Sequence, residues 1–355
     1  NPYNNNQPGN SECINGWRGL SPLSFNPNYG TAPGIAPELQ PTVEWTHSDD
    51  LRQIYGAEEN GNARRTWDNV GVQYGLSALH DGHISEEEFL DLNARIGGWK
   101  QTEEFVQEGA PYLAEGEGLD VHSARNMNLS PEDAGEMPAK RTKGDPIAVA
   151  AAYEHGLVFT GRLDIPIIDW RHYLEDELDM HNAHQSFSSR QRLLNYDDDA
   201  SNQVIWFTDV VEGSAHFDQT PMAFEVIDQW MSNIAENPRA GVAANKPADA
   251  VDSCFDKEGT LMHAGDGVWD GILNDKPQGA CTQSFDMYAT SRIVAGAPIT
   301  GDVFACHLQS VENAIANGLY GTWEVTTNQQ ERLKEIFPDG VCDYTKGDAS
   351  RPKGS

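Results

Sequence analysis

The sequence is poor in basic residues: 24 Lys and Arg stand against 55 Asp and Glu, a formal net charge of -31 over 355 residues. Such a surface repels a phosphate backbone and anionic lipid alike, which argues against nucleic acid and membrane as partners. No stretch approaches the roughly 20 apolar residues that a bilayer-spanning helix needs, and no basic segment followed by an apolar one opens the chain. Cysteine is scarce, with five in all, and none belongs to a CxxC pair or a Cys/His cluster with zinc spacing. A G-x-S-x-G turn is missing as well. Ser77, Ser123 and Ser130 lack the pair of flanking glycines, and nothing ahead of residue 165 places a nucleophile elbow after a strand.

What is present divides into five segments. Residues 1–45 are rich in Pro, Asn and Gly without a sustained period, an extended segment wrapped on something larger. The polar opening reads as the middle of a loop, which predicts a processed or cleaved polypeptide. Residues 46–108 read as a helical insertion or cap. Within them 66–79 has a helical face through Val70, Tyr74 and Leu76 to Leu79, with Asp68 or Asn69 as cap. The stretch Asp81 to Phe89 imitates an EF-hand, but the loop would need an oxygen ligand where Leu79 stands. Ser85 followed by Glu88 is instead a capping box that starts a helix. Residues 109–146 are polar and aperiodic, an excursion or lid.

From 147 the pattern changes to helix, strand, acid-bearing loop, helix, strand, His-bearing loop, helix. Asp145-Pro146 opens a helix that ends near Gly156. Ile165 to Trp170 and Asn202 to Phe207 read as buried parallel strands, followed by helices from Ser186 and from Pro221. The expected fold class is therefore α/β, the C-terminal part of an α/β-hydrolase-type doubly wound sheet over residues 147–240. A disulfide-bonded subregion follows over 241–355. Cys254, Cys281, Cys306 and Cys342 favour disulfides, and so a secreted, extracellular or periplasmic protein. Their pairing is not deducible from sequence, although Cys254 with Cys281 and Cys306 with Cys342 would each close a local loop. Cys13 would then be left for another polypeptide or a missing piece of this one.

Polar residues at the carboxyl ends of parallel strands sit where open α/β folds bind ligands. A hydrolase triad runs in chain order nucleophile, acid, histidine, and the tail of that order is here. His216 follows the strand at 203–207 and is the candidate general base. Asp179, after the strand at 165–170, is the candidate acid, with Asp169 as the alternative. Each has a plainer reading: His216 as an ordinary loop histidine, and Asp169 as a structural partner of Arg171. His181 and Trp170 are candidate substrate-binding residues, although histidines near acids are commonly polar loop residues and a lone aromatic at a strand end commonly belongs to the core. No metal or cofactor is expected. A weaker reading has calcium bound by Asp197-Asp198-Asp199 or by the Asp252 to Asp256 region.

Several runs together resemble a known family: Ala63 to Leu76, Phe89-Leu90-Asp91-Leu92-Asn93, Ile165 to Leu174, Asp179-Met180-His181 and Phe337 to Tyr344. They are similar to large secreted bacterial proteins of α/β-hydrolase character, catalogued only as a domain of unknown function. Members are about twice as long, with a β-rich N-terminal region and a Gly-Gly-Ser-Gly-Gly type nucleophile turn, and the likeness covers only their C-terminal half. The resemblance implies that an N-terminal half, cleaved from the same precursor or supplied as a separate chain, contributes the serine and the oxyanion hole. The expected function is that of a serine hydrolase on ester bonds, less readily amides, through an acyl-enzyme. The alternative is a non-catalytic binding or structural module of an extracellular assembly on a hydrolase-like scaffold.

Overall fold

The computed structural model describes residues 38, 42, 47–101, 104, 127–129, 138–175, 182–210 and 216–354. The 1–45 segment apart from two residues, most of the 109–146 excursion, Cys13 and the candidates Asp179 and His181 lie outside these. The chain divides into two compact units, the first built from described residues up to 158 together with 289–354, the second from 159–288. The 241–355 subregion is thus shared between units, each of which carries one disulfide: Cys254–Cys281 in the second, Cys306–Cys342 in the first.

The first unit contains α1 (His47–Tyr55), α2 (Leu76–His80), α3 (Glu86–Arg95), β1 (Ile96–Trp99), β2 (Met127–Leu129) and α4 (Pro146–Glu154). Helix α3 starts in the expected capping box: the Ser85 hydroxyl accepts from the Glu88 backbone, and the Glu88 carboxylate accepts from the Ser85 backbone. Helix α4 has Pro146 at its first turn and is capped by Asp145, whose carboxylate accepts from Ile147 N. The expected helix over 66–79 is corrected: only Leu76–His80 is helical. Gly71 and Gly75 take positive φ of 75° and 82°, and side chains satisfy the backbone that a helix would have paired. Asn93 accepts from Tyr74 N and donates to Tyr74 O, while the Arg141 guanidinium donates to the carbonyls of Val72 and Asn93.

The second unit contains β3 (Ile167–His172), α5 (His184–Asp197), β4 (Gln203–Thr208), α6 (Thr220–Glu236), α7 (Gly241–Ala244), β5 (Ser253–Phe255) and β6 (Leu261–Ala264). The first unit closes with α8 (Ser291–Val294), β7 (Cys306–Gln309), α9 (Val311–Ala316), α10 (Thr327–Ile336) and β8 (Val341–Asp348). In that unit Phe89 and Leu90 of α3 pack with Leu333, Ile336 and Phe337 in one core.

The second unit is an α/β sheet of order β3-β4-β5-β6. Strands β3, β4 and β5 are parallel, with His172 level with Thr208 and Thr208 level with Phe255, and β6 runs antiparallel at the edge. Strand β3 begins two residues later than the sequence pattern predicts. Asn202 accounts for the shift, since its amide donates to the Leu163 and Ile165 carbonyls and its own carbonyl accepts from Ile167 N. Every residue of β4 is buried, which follows from cover on both faces. Phe187 of α5 meets Phe207 at 5.9 Å between ring centroids, and Val226 and Trp230 of α6 pack on Val204 and Trp206 from the other side. Full cover of this kind is typical of a central parallel strand.

The amino end of β4 is locked by Arg190. Its guanidinium bonds both oxygens of Asp252 at 2.5 and 2.8 Å and the Gln203 carbonyl at 3.1 Å, while Asp252 also accepts from Ile205 N. Removing the cation strands a largely buried carboxylate. Arg190→Leu is therefore expected to lower stability by about 3 kcal/mol, read by chemical denaturation. A loss no larger than that of an exposed substitution would count against this account.

Candidate functional site

The sheet places two imidazoles at its carboxyl end. His172 is the last residue of β3, and His216 lies in the segment that leads from β4 into α6. Their ring centroids are 4.9 Å apart with planes tilted by 45°. His172 Nε2 lies 2.8 Å from the Phe217 carbonyl. A carbonyl only accepts, so Nε2 carries the proton and Nδ1 keeps its lone pair when the ring is neutral.

A buried relay holds the His216 segment. Trp170 Nε1 donates to Thr208 Oγ1 at 3.0 Å, and that hydroxyl donates in turn to Gln219 Oε1 at 3.2 Å. Gln219 and Thr208 have no exposed surface. The ring of Phe217 lies against Gly259, where a Cβ would come within 2.3 Å of it, so the segment is pinned on that side too. His216 itself is exposed. Between the imidazoles and α6, Asp218 accepts from Thr220 N at 2.9 Å. Bonds from the Thr220 side chain and backbone hold its carboxyl below the usual range, with a further contribution from the nearby His172 charge.

Of the candidates, the structure brings Trp170 to this edge, where its ring meets that of His172 edge-on at 5.1 Å. Asp169 is held differently. Its carboxylate is 3.7 Å from Arg171 Nη2 and accepts from Gln203 Nε2 at 3.3 Å. Strand alternation turns it to the face covered by α5, opposite to Trp170 and His172. No hydrogen bond joins Asp169 to His216 among the described residues. Asp179 and His181 belong to 176–181, outside them. The residue that sequence reasoning missed is His172. Ending the strand at Trp170 hid it, whereas carrying the alternation two residues further places it on the same face as Trp170.

Three of the calcium candidates have partners within the fold. Asp252 is bound by Arg190, Asp256 accepts from Glu258 N and Thr260 N, and Asp199 accepts from Ser201. Among the described residues no group of three or more His, Cys, Asp or Glu is placed to hold a metal ion. A cavity of about 420 Å³ in this unit lies at the opposite end of the strands, beside Asp164 and Asn202, away from the imidazoles.

The sequence profile of a tannase-like family of unknown function (DUF6351) matches residues 13–353. The chain belongs to that family. The family description points to an esterase-type hydrolase and is consistent with a mixed helix and strand chain. Comparison with curated proteins and with solved structures returns no match. The two disulfides of this family member fit an oxidising environment, and among the described residues no helix is long and apolar enough to cross a membrane.

Next to the strand end, His184 at the start of α5 is 4% exposed, and its Nδ1 has no hydrogen-bond partner among the described residues. Burial, and then the Arg171 charge, hold its pKa below the ordinary value, which is about 6.5. The unfolded chain then takes up a proton that the folded chain refuses. Stability from this group is complete above about pH 6.5 and is lost as the pH falls through the depressed value. The unfolding midpoint is expected to fall as the pH drops below about 6.5, and His184→Gln to reduce that fall. Unchanged pH dependence in the variant would show that His184 titrates normally.

Proposed function

We propose that this chain supplies the base and acid of a secreted esterase of the serine-hydrolase type, acting on ester bonds and less readily on amides. The sheet is then the C-terminal part of a doubly wound α/β-hydrolase fold. The nucleophilic serine and oxyanion hole come from an N-terminal half, either cleaved from the same precursor or carried on a separate chain. His216 takes the proton as the serine hydroxyl attacks the ester carbonyl, then returns it to the departing alcohol, and water releases the acyl group by the same route in reverse. Asp179 orients the imidazole, since the alternative, Asp169, is turned to the opposite face of the sheet, and Trp170 and His181 line the substrate side. No metal ion or cofactor takes part.

The observation that carries this reading is His216 at the carboxyl edge of a parallel sheet, in ring contact with His172. Ligands bind at that edge in open α/β folds, and an imidazole held there by a buried relay is positioned for proton transfer. The tannase likeness of the family supports an ester as substrate, and the lack of a nucleophile elbow ahead of residue 165 supports a serine from elsewhere.

The test is fluorophosphonate labelling of the secreted assembly together with any polypeptide that accompanies this chain. A serine adduct on the other polypeptide and none on this one is expected. No adduct on any polypeptide would sink the proposal and leave the non-catalytic module. In an active assembly, His216→Ala is expected to lower kcat/KM by about 10²- to 10⁴-fold, with the fold intact by circular dichroism. A loss smaller than about tenfold would remove His216 from the base role.

A further inference from the structure

The first unit holds a cavity of about 440 Å³ that the esterase reading leaves unused. Val70, Val149, Phe304 and Leu308 make its apolar walls, and the volume lies within the range of small-molecule sites. Three charged side chains share the lining, Asp68, Lys143 and Asp339.

Asp68 is half-buried, and its carboxylate is fixed by the backbone. Oδ1 accepts from Val70 N at 3.0 Å and Oδ2 from Gly144 N at 2.9 Å. Each oxygen takes about two such bonds, so acceptor capacity remains on both. The neighbouring Arg292 is committed to the main chain, donating to the carbonyls of Asp68, Val303 and Phe304 at 2.6, 3.0 and 3.2 Å. It braces the wall and makes no direct bond to the Asp68 carboxylate among the described residues. Lys143 and Asp339 are exposed, and no ion pair is formed by either among the described residues.

The open acceptors decide the class of ligand. On the lining two carboxylates stand against one ammonium, the Arg292 charge behind the wall offsets part of that excess, and the lone pairs left on the Asp68 carboxylate can take only a donor, best a cationic one. Burial pushes the Asp68 carboxyl up, outweighing the Gly144 and Val70 bonds and the Arg292 and Lys143 charges. A cation placed against that oxygen therefore restores what desolvation removes.

We infer that this cavity binds a small amphipathic amine, its ammonium bonded to Asp68 and facing Asp339, its apolar body between Val149, Phe304 and Leu308. The site is independent of the imidazole pair and of the esterase reading.

Benzylamine titrated into isotope-labelled protein tests this by amide chemical shifts. Saturable shifts at Asp68, Val70 and Gly144 are expected, with a dissociation constant on the order of 1 mM. Benzyl alcohol should bind more weakly, and benzoate should produce no saturable shift. The whole chain is acidic and attracts cations without any site, so the deciding variant leaves charge unchanged. Ala349→Trp puts bulk on an exposed lining residue and should abolish the saturable shifts while the other amides stay in place. If that variant does not fold, Leu308→Trp, at another lining residue with exposed surface, carries the test without a change of charge and should likewise abolish the saturable shifts. Shifts that never saturate, benzoate binding as well as benzylamine, or either variant leaving the affinity unchanged would overturn the inference.

Discussion

Full burial of β4 is the constraint on which the second unit turns. A strand covered on both faces has nowhere to expose its polar side chains, so Gln203 and Thr208 must be matched inside the fold. Gln203 finds Arg190 and Asp169, and Thr208 finds Trp170 and Gln219. The second match has a chemical consequence. Gln219 sits between His216 and α6, so satisfying one buried hydroxyl also fixes the segment that carries an exposed imidazole.

Much of this unit is legible in the sequence, because its strands are continuous apolar runs and its helices are long. Ile167 to Trp170 and Val204 to Phe207 cannot hide their period, and α6 has an apolar stripe that runs through Val226 and Trp230. The capping box at Ser85 and the proline at the start of α4 are equally direct, since each names the backbone groups it satisfies. Two things escaped. The 66–76 stretch has helical spacing, yet the polar partners that unwind it, Asn93 and Arg141, come from distant positions. His172 escaped because a strand end depends on where the neighbouring strand stops pairing, and Thr208 supplies that limit from 36 residues away.

In so acidic a chain several arginines are nonetheless spent on carbonyl oxygens. Arg141 donates to Asn69, Val72 and Asn93, Arg171 to Asn182, Arg192 to Phe159 and Arg292 to three further carbonyls. Each ties together segments that local hydrogen bonding leaves open. A planar fork with several fixed donors can do this, whereas a single ammonium cannot span the same acceptors. Burial pulls the Arg141 guanidinium down to about 10, and the rings of Tyr74 and Phe337 lie beneath it at 5.1 and 5.4 Å, a favourable setting for a charge with little water.

The two disulfides close loops of 27 and 36 residues, each inside its own unit. Four cysteines can be joined in three ways, and this is the arrangement in which neighbours along the chain are partners. The remaining two ways would both stitch one unit to the other. Neither bridge therefore needs the other unit in place before it can close.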